Sequence, residues 1–172
     1  MWELRKMQAR SGVKKYGPFS LLMLLVVLLL IYCGFIYAIA PQKYLVVEAP
    51  KENQYLYSIP VESSDYFEMT YTHSVTKQTV QGLFIITELG EIKPHSTTFD
   101  SFGPGLPELD GSLEYEITDG KFVVYHDDEP REEISLFVSP LTGDRLYLHG
   151  QKYDLTSHFE KPILLRIYIT AK

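Results

Sequence analysis

Hydrophobic positions fall into two regimes along the chain. From residue 19 to 40 the sequence reads FSLLMLLVVLLLIYCGFIYAIA, 22 residues without a charge. As an α-helix rising about 1.5 Å per residue, this run is about 33 Å long, enough to cross a hydrocarbon core of about 30 Å. It predicts one transmembrane helix over 19–40. Beyond it the period is two. In 65–75, Phe67, Met69, Tyr71, His73 and Val75 share one face, and Glu68, Thr70, Thr72 and Ser74 the other. Similar rows are Tyr55, Tyr57, Ile59 and Val61; Leu113, Tyr115 and Ile117; Ile134, Leu136 and Val138; Leu146 and Leu148; and Ile163, Leu165, Ile167 and Ile169. Alternation of this kind marks half-buried strands. Asp110-Gly111, Asp119-Gly120, Thr142-Gly143-Asp144 and His149-Gly150 supply turns between them. No three-turn amphipathic helix is evident after Ala40. The expected fold is all-β, an antiparallel β-sandwich (Ig-like or jelly-roll-like) preceded by one N-terminal transmembrane helix.

Charge orients this arrangement. Residues 1–40 carry Arg5, Lys6, Arg10, Lys14 and Lys15 against Glu3, a net of +4; the whole chain is −6, so 41–172 carry −6 − 4 = −10. Basic flanks stay cytoplasmic. The expected organisation is a basic cytoplasmic N-terminus over 1–18, a signal anchor over 19–40, and an extracytoplasmic β-domain over 41–172. The localisation that follows is the cell membrane, single-pass, with the N-terminus inside. Cleavage after Ala38-Ile39-Ala40 is the rival reading. The apolar run is longer than a usual signal core, and Pro41 would follow the cut. The one cysteine, Cys33, lies in the apolar run, so no disulfide can form within 41–172. The acidic balance argues against nucleic acid as a partner, because phosphate recognition needs basic patches.

The chemistry-bearing candidates are few. His73 beside Ser74 suggests a base and a nucleophile, but adjacent strand residues point to opposite faces, and a catalytic pair must share a hydrogen bond. No G-x-S-x-G elbow is present. A hydrolase is therefore the last-ranked reading, and no catalytic residue is assigned. The five histidines show no ligand spacing, and the acidic turn His126-Asp127-Asp128-Glu129 lacks the alternating calcium-loop pattern. No metal or cofactor is expected. The stretch Ser101-Phe102-Gly103-Pro104-Gly105-Leu106-Pro107 packs two glycines and two prolines into seven residues. It is a rigid corner or a shaped binding edge, not a phosphate cradle, since proline donates no N–H.

Y-T-H-S-V at 71–75, T-V-Q at 79–81, F-D-S-F-G-P-G-L-P at 99–107 and R-L-Y-L-H-G-Q-K-Y-D-L at 145–155 together resemble the bacterial domain-of-unknown-function family 1850. The resemblance spans most of 44–170. It implies a β-rich extracytoplasmic domain, exported or membrane-anchored, associated with tripartite (TRAP-type, TAXI-subfamily) solute transporters. It implies no reaction.

The leading expectation is a non-enzymatic interaction or accessory protein, with the membrane and a transporter permease or solute-binding protein as partners. The alternative is a small-ligand-binding module. Its candidate site, for ligand or partner, is Tyr71, His73, Ser74, Thr79, Phe102, Gly103, Gly105 and Leu106.

Overall fold

The computed structural model describes residues 17–39, 41–106 and 114–171. Residues 1–16 of the expected cytoplasmic segment, the turn Asp110-Gly111, Leu113 and Pro107 lie outside the described residues. Two units are present, divided between Ala40 and Pro41.

The first unit is one helix, α1 (Pro18–Ile39), 22 residues long. Its described side chains, 19–35, are all exposed. That window is about 25 Å at roughly 1.5 Å per residue, and no helix among the described residues is long and apolar enough to cross a membrane.

The second unit is all-β. Its strands are β1 (Lys43–Ala49), β2 (Gln54–Val61), β3 (Tyr66–Thr72), β4 (Thr79–Ile86), β5 (Ile92–Phe99), β6 (Tyr115–Thr118), β7 (Lys121–Tyr125), β8 (Glu133–Val138), β9 (Arg145–Leu148), β10 (Gln151–Asp154) and β11 (Ile163–Ala171). They form a four-stranded sheet, β2-β1-β11-β8, and a seven-stranded sheet, β10-β9-β3-β4-β5-β7-β6, with every pairing antiparallel. Asp119-Gly120 and His149-Gly150 each place two successive residues at positive φ, 53° and 77°, then 52° and 72°. That is the type I′ geometry that closes two-residue hairpins.

The core lies between the sheets. Leu45, Val47, Ile59, Leu165 and Ile167 from the smaller sheet meet Phe67, Ile86, Leu146 and Leu148 from the larger. The sheets are offset because one has three more strands. At one side Tyr57 of β2 hydrogen-bonds the Asp154 carbonyl and packs edge-on against Tyr153 of β10. At the other, β8 pairs only with β11 and faces β4 and β5. β7 and β6 therefore project past β8.

That offset corrects one predicted row. Tyr115 and Ile117 fall on the inner side of the sheet, paired with Val124 and Phe122, yet all of β6 is exposed, Ile117 by 63%. Nothing among the described residues covers it. Tyr55 is also displaced. A bulge at Val47/Glu48 leaves Leu56 unpaired and shifts the alternation, so Leu56 joins Tyr57 against the core and Tyr55 is 70% exposed. Val75 is 64% exposed because β3 ends at Thr72, before the predicted row does.

Candidate functional site

β3 stops where the chain turns back into β4, with His73 and Gln78 closing the connection in the register of Thr72 and Thr79. The His73 N–H donates to the Gln78 carbonyl and the Lys77 N–H to the His73 carbonyl. Lys77 takes a φ of 58° to close the connection. His73 is 7% exposed, and both its ring nitrogens are engaged. Nδ1 lies 3.2 Å from the Thr76 backbone N and 3.0 Å from Thr76 Oγ1. Nε2 lies 3.0 Å from the Pro104 carbonyl oxygen. A backbone N–H only donates, so Nδ1 is the acceptor, and the proton sits on Nε2, donated to Pro104. The ring is a neutral tether between two loops and offers no free nitrogen. Ser74 sits exposed in the turn beside it. It is Thr76, not Ser74, that meets the imidazole.

The tethered loop has a defined geometry. The Leu106 N–H donates to the Gly103 carbonyl, with Pro104 and Gly105 between them and Gly105 at φ 82°. Proline followed by a glycine at positive φ is a type II turn. Gly103 is required by proximity: a Cβ there would stand 2.8 Å from Thr76 Cγ2. Gln78 holds the preceding residues. Its Oε1 accepts from the Asp100 and Ser101 N–H groups at 2.8 and 2.7 Å, and its Nε2 donates to the Ser101 carbonyl. Phe102 anchors the loop on Phe122, with ring centroids 4.5 Å apart, and on Phe99 at 5.1 Å.

This loop borders a cleft of about 700 Å³ between the sheets. Its walls are Met69 and Tyr71 of β3, Val80 and Phe84 of β4, Ile134 and Leu136 of β8, and Gly105 with Leu106 of the turn. Gly82, facing inward on β4, lets the Phe84 ring lie close over it, since a Cβ there would stand 3.0 Å from Phe84 Cε2. The polar residues of the lining are Thr70, Tyr71, Thr97 and Asp144. The Tyr71 hydroxyl is raised in pKa, first by burial and then by the negative charge of Asp144. Asp144 itself lines the cleft and is 6% exposed. Thr97 of β5 lines the cleft and places Oγ1 2.7 Å from His126 Nε2. Burial is the main cause holding His126 below the ordinary histidine value.

The two unusual stretches do meet at one end of the sandwich. Tyr71, Gly105 and Leu106 reach the cleft directly. His73 and Gly103 stand behind the loop, and Phe102 clamps it. Ser74 and Thr79 are exposed and outside the cleft lining. Asp144, Thr97 and the pair Ile134 and Leu136 are site-forming residues that the sequence did not single out. The β8 alternation was the one available signal, and it marks an inner face without saying what that face meets. Among the described residues no cluster of histidine, cysteine, aspartate or glutamate is arranged to hold a metal ion.

The fold and this cleft define a two-sheet, all-β domain with an apolar recess beside its shorter sheet. The chain belongs to the family described as domain of unknown function DUF1850, whose model matches residues 67–155. That match spans more than half of the chain and includes β3 through β10, and so most of the cleft wall. Comparison with curated proteins and with solved structures finds no significant match.

Proposed function

We propose that this protein is a non-enzymatic, membrane-anchored β-domain that binds a small, largely apolar molecule in the inter-sheet cleft. The cleft carries the proposal. About 700 Å³ lies within the roughly 300–1,000 Å³ range of small-molecule sites, which are typically apolar with a few placed polar groups. Met69, Val80, Phe84, Leu106, Ile134 and Leu136 supply the apolar wall, and Thr70, Tyr71, Thr97 and Asp144 the polar points. The loop bonds of His73 and Gln78 keep Gly105 and Leu106 in place without a ligand, which lowers the ordering cost of binding.

Filling the cleft tests this. In the full chain held in lipid nanodiscs, Leu136→Trp is expected to weaken binding of soluble phenyl-bearing fragments by about tenfold or more while the fold persists, since this residue lines the recess. Fragment affinity unchanged by that substitution places the binding elsewhere.

The anchor in this proposal is α1. Its 22 uncharged residues amount to about 33 Å of helix. The net +4 before the domain and −10 within it favour an inside N-terminus. Retention of the full chain in membranes after alkaline carbonate extraction is the expected result; release into the supernatant removes the anchor. A role as accessory to a tripartite solute transporter is the form of the proposal that the family resemblance suggests. Recovery in mild detergent without a permease or binding protein contradicts that part alone.

A further inference from the structure

The lining of the cleft has one charged side chain, Asp144, and no lysine or arginine among the described residues. Asp144 is held by its own loop. Oδ2 accepts from the Ser139 N–H at 3.3 Å and from the Thr142 hydroxyl. The main chain fixes it further, because the Leu155 N–H donates to the Asp144 carbonyl. Among the described residues no donor is in hydrogen-bond contact with Oδ1, and that oxygen is open rather than sealed, since the buried side-chain polar atom without a partner is Arg145 Nε. The adjacent cation, Arg145, offers no compensation inside the cleft. It pairs across the sheet with Thr70, on the face opposite Leu146, and forms no ion pair among the described residues.

A carboxylate at the edge of an apolar recess keeps only part of its hydration, and a facing positive charge or donor offsets that loss. The two loop donors satisfy one oxygen. A ligand carrying a positive head would satisfy the other, with its apolar body along Leu136, Ile134 and Phe84. A carboxylate or phosphate ligand would meet Asp144 with no counter-charge on the lining. The −10 balance of 41–172 adds a field that attracts cations and repels anions.

We infer that the cleft selects amines: molecules with an apolar body and a protonated amino head that pairs with Asp144, in preference to organic anions of the same shape. This rests on the cleft being a ligand site, and the test separates the two claims.

Three probes of one shape differ only in the head group: 3-phenylpropylamine, 3-phenylpropanol and 3-phenylpropionate. Each is titrated by calorimetry into the full chain in nanodiscs, with empty nanodiscs correcting for partition into lipid. The amine is expected to bind about tenfold more tightly than the carboxylate, the size of a charge-assisted hydrogen bond. Asp144→Asn is expected to reduce that preference to about twofold or less. Carboxylate binding as tight as the amine overturns the inference, and so does a preference that survives Asp144→Asn. If that variant does not fold, the wild-type ratio alone decides. Equal binding of all three probes, abolished by Leu136→Trp, overturns amine selection and leaves the cleft site standing. No binding by any probe overturns both.

Discussion

Replacing Gln78 with alanine is expected to lower the stability of the β-domain by about 2–4 kcal/mol, because three backbone groups lose their partner at once. Gln78 is buried, and its amide bonds the N–H of Asp100, the N–H of Ser101 and the Ser101 carbonyl. No other described residue supplies those partners. Ser101 is exposed, so water recovers part of the loss, which sets the lower end of the range. The effect is also local. The loop released is the one that carries Phe102 onto Phe122 and brings Gly105 and Leu106 to the cleft. Chemical denaturation gives the free energy, and amide exchange at Asp100 and Ser101 should quicken more than exchange in β1 or β11. Gln78→Glu keeps an acceptor for the two N–H groups and loses the donor, so an intermediate cost follows. A Gln78→Ala protein as stable as the parent would mean the loop is held by other contacts.

Phe67→Ala carries the larger penalty, about 3–5 kcal/mol, from lost burial and the cavity left behind. Phe67 is fully buried, stacks on Phe84 with centroids 5.1 Å apart at 14°, and stands opposite Leu148 in the neighbouring strand. It is the largest side chain where β3, β4 and β9 meet the smaller sheet. For a domain of this size each kcal/mol moves the midpoint by roughly 3–6 °C, so thermal unfolding should shift down by about 10 °C or more. Phe84 loses its stacking partner as well, so the cleft wall should loosen with the core. A shift of only a degree or two would show that the sheets do not pack through this residue.

The period of two made most of this domain legible. Phe67, Leu146, Leu148, Leu165 and Ile167 were assigned inward by alternation alone and are buried. The turns at Asp119-Gly120 and His149-Gly150 were legible for a specific reason, since both positions must accept positive φ. Alternation fails where burial depends on the other sheet. Ile117 has an inward direction but no opposing strand. Tyr55 fails because one bulged residue, Leu56, separates it from the alternation that Tyr57, Ile59 and Val61 follow.

The site was half legible for the same reason. The His73 strand end and the Gly-Pro-Gly loop stand out in the sequence as candidates, and the contacts of His73 with Thr76 and the Pro104 carbonyl join them. His73 and Ser74 are kept apart by the turn rather than by strand alternation, because β3 ends at Thr72, before either residue. Asp144 was read only as part of a turn. Its importance comes from β8 (Glu133–Val138) lying across from β4 (Thr79–Ile86) and β5 (Ile92–Phe99), a juxtaposition between segments far apart in sequence. No local pattern encodes that.

The most direct test of the central claim is methyl NMR of the full chain in nanodiscs during titration with 3-phenylpropylamine. The methyl groups of Met69, Val80, Leu106, Ile134 and Leu136 are expected to shift together along one saturable curve, while those of Leu45, Val47 and Ile167, deep between the sheets, stay in place. Saturable shifts confined to other surfaces, or none at all, would contradict a ligand site in the cleft.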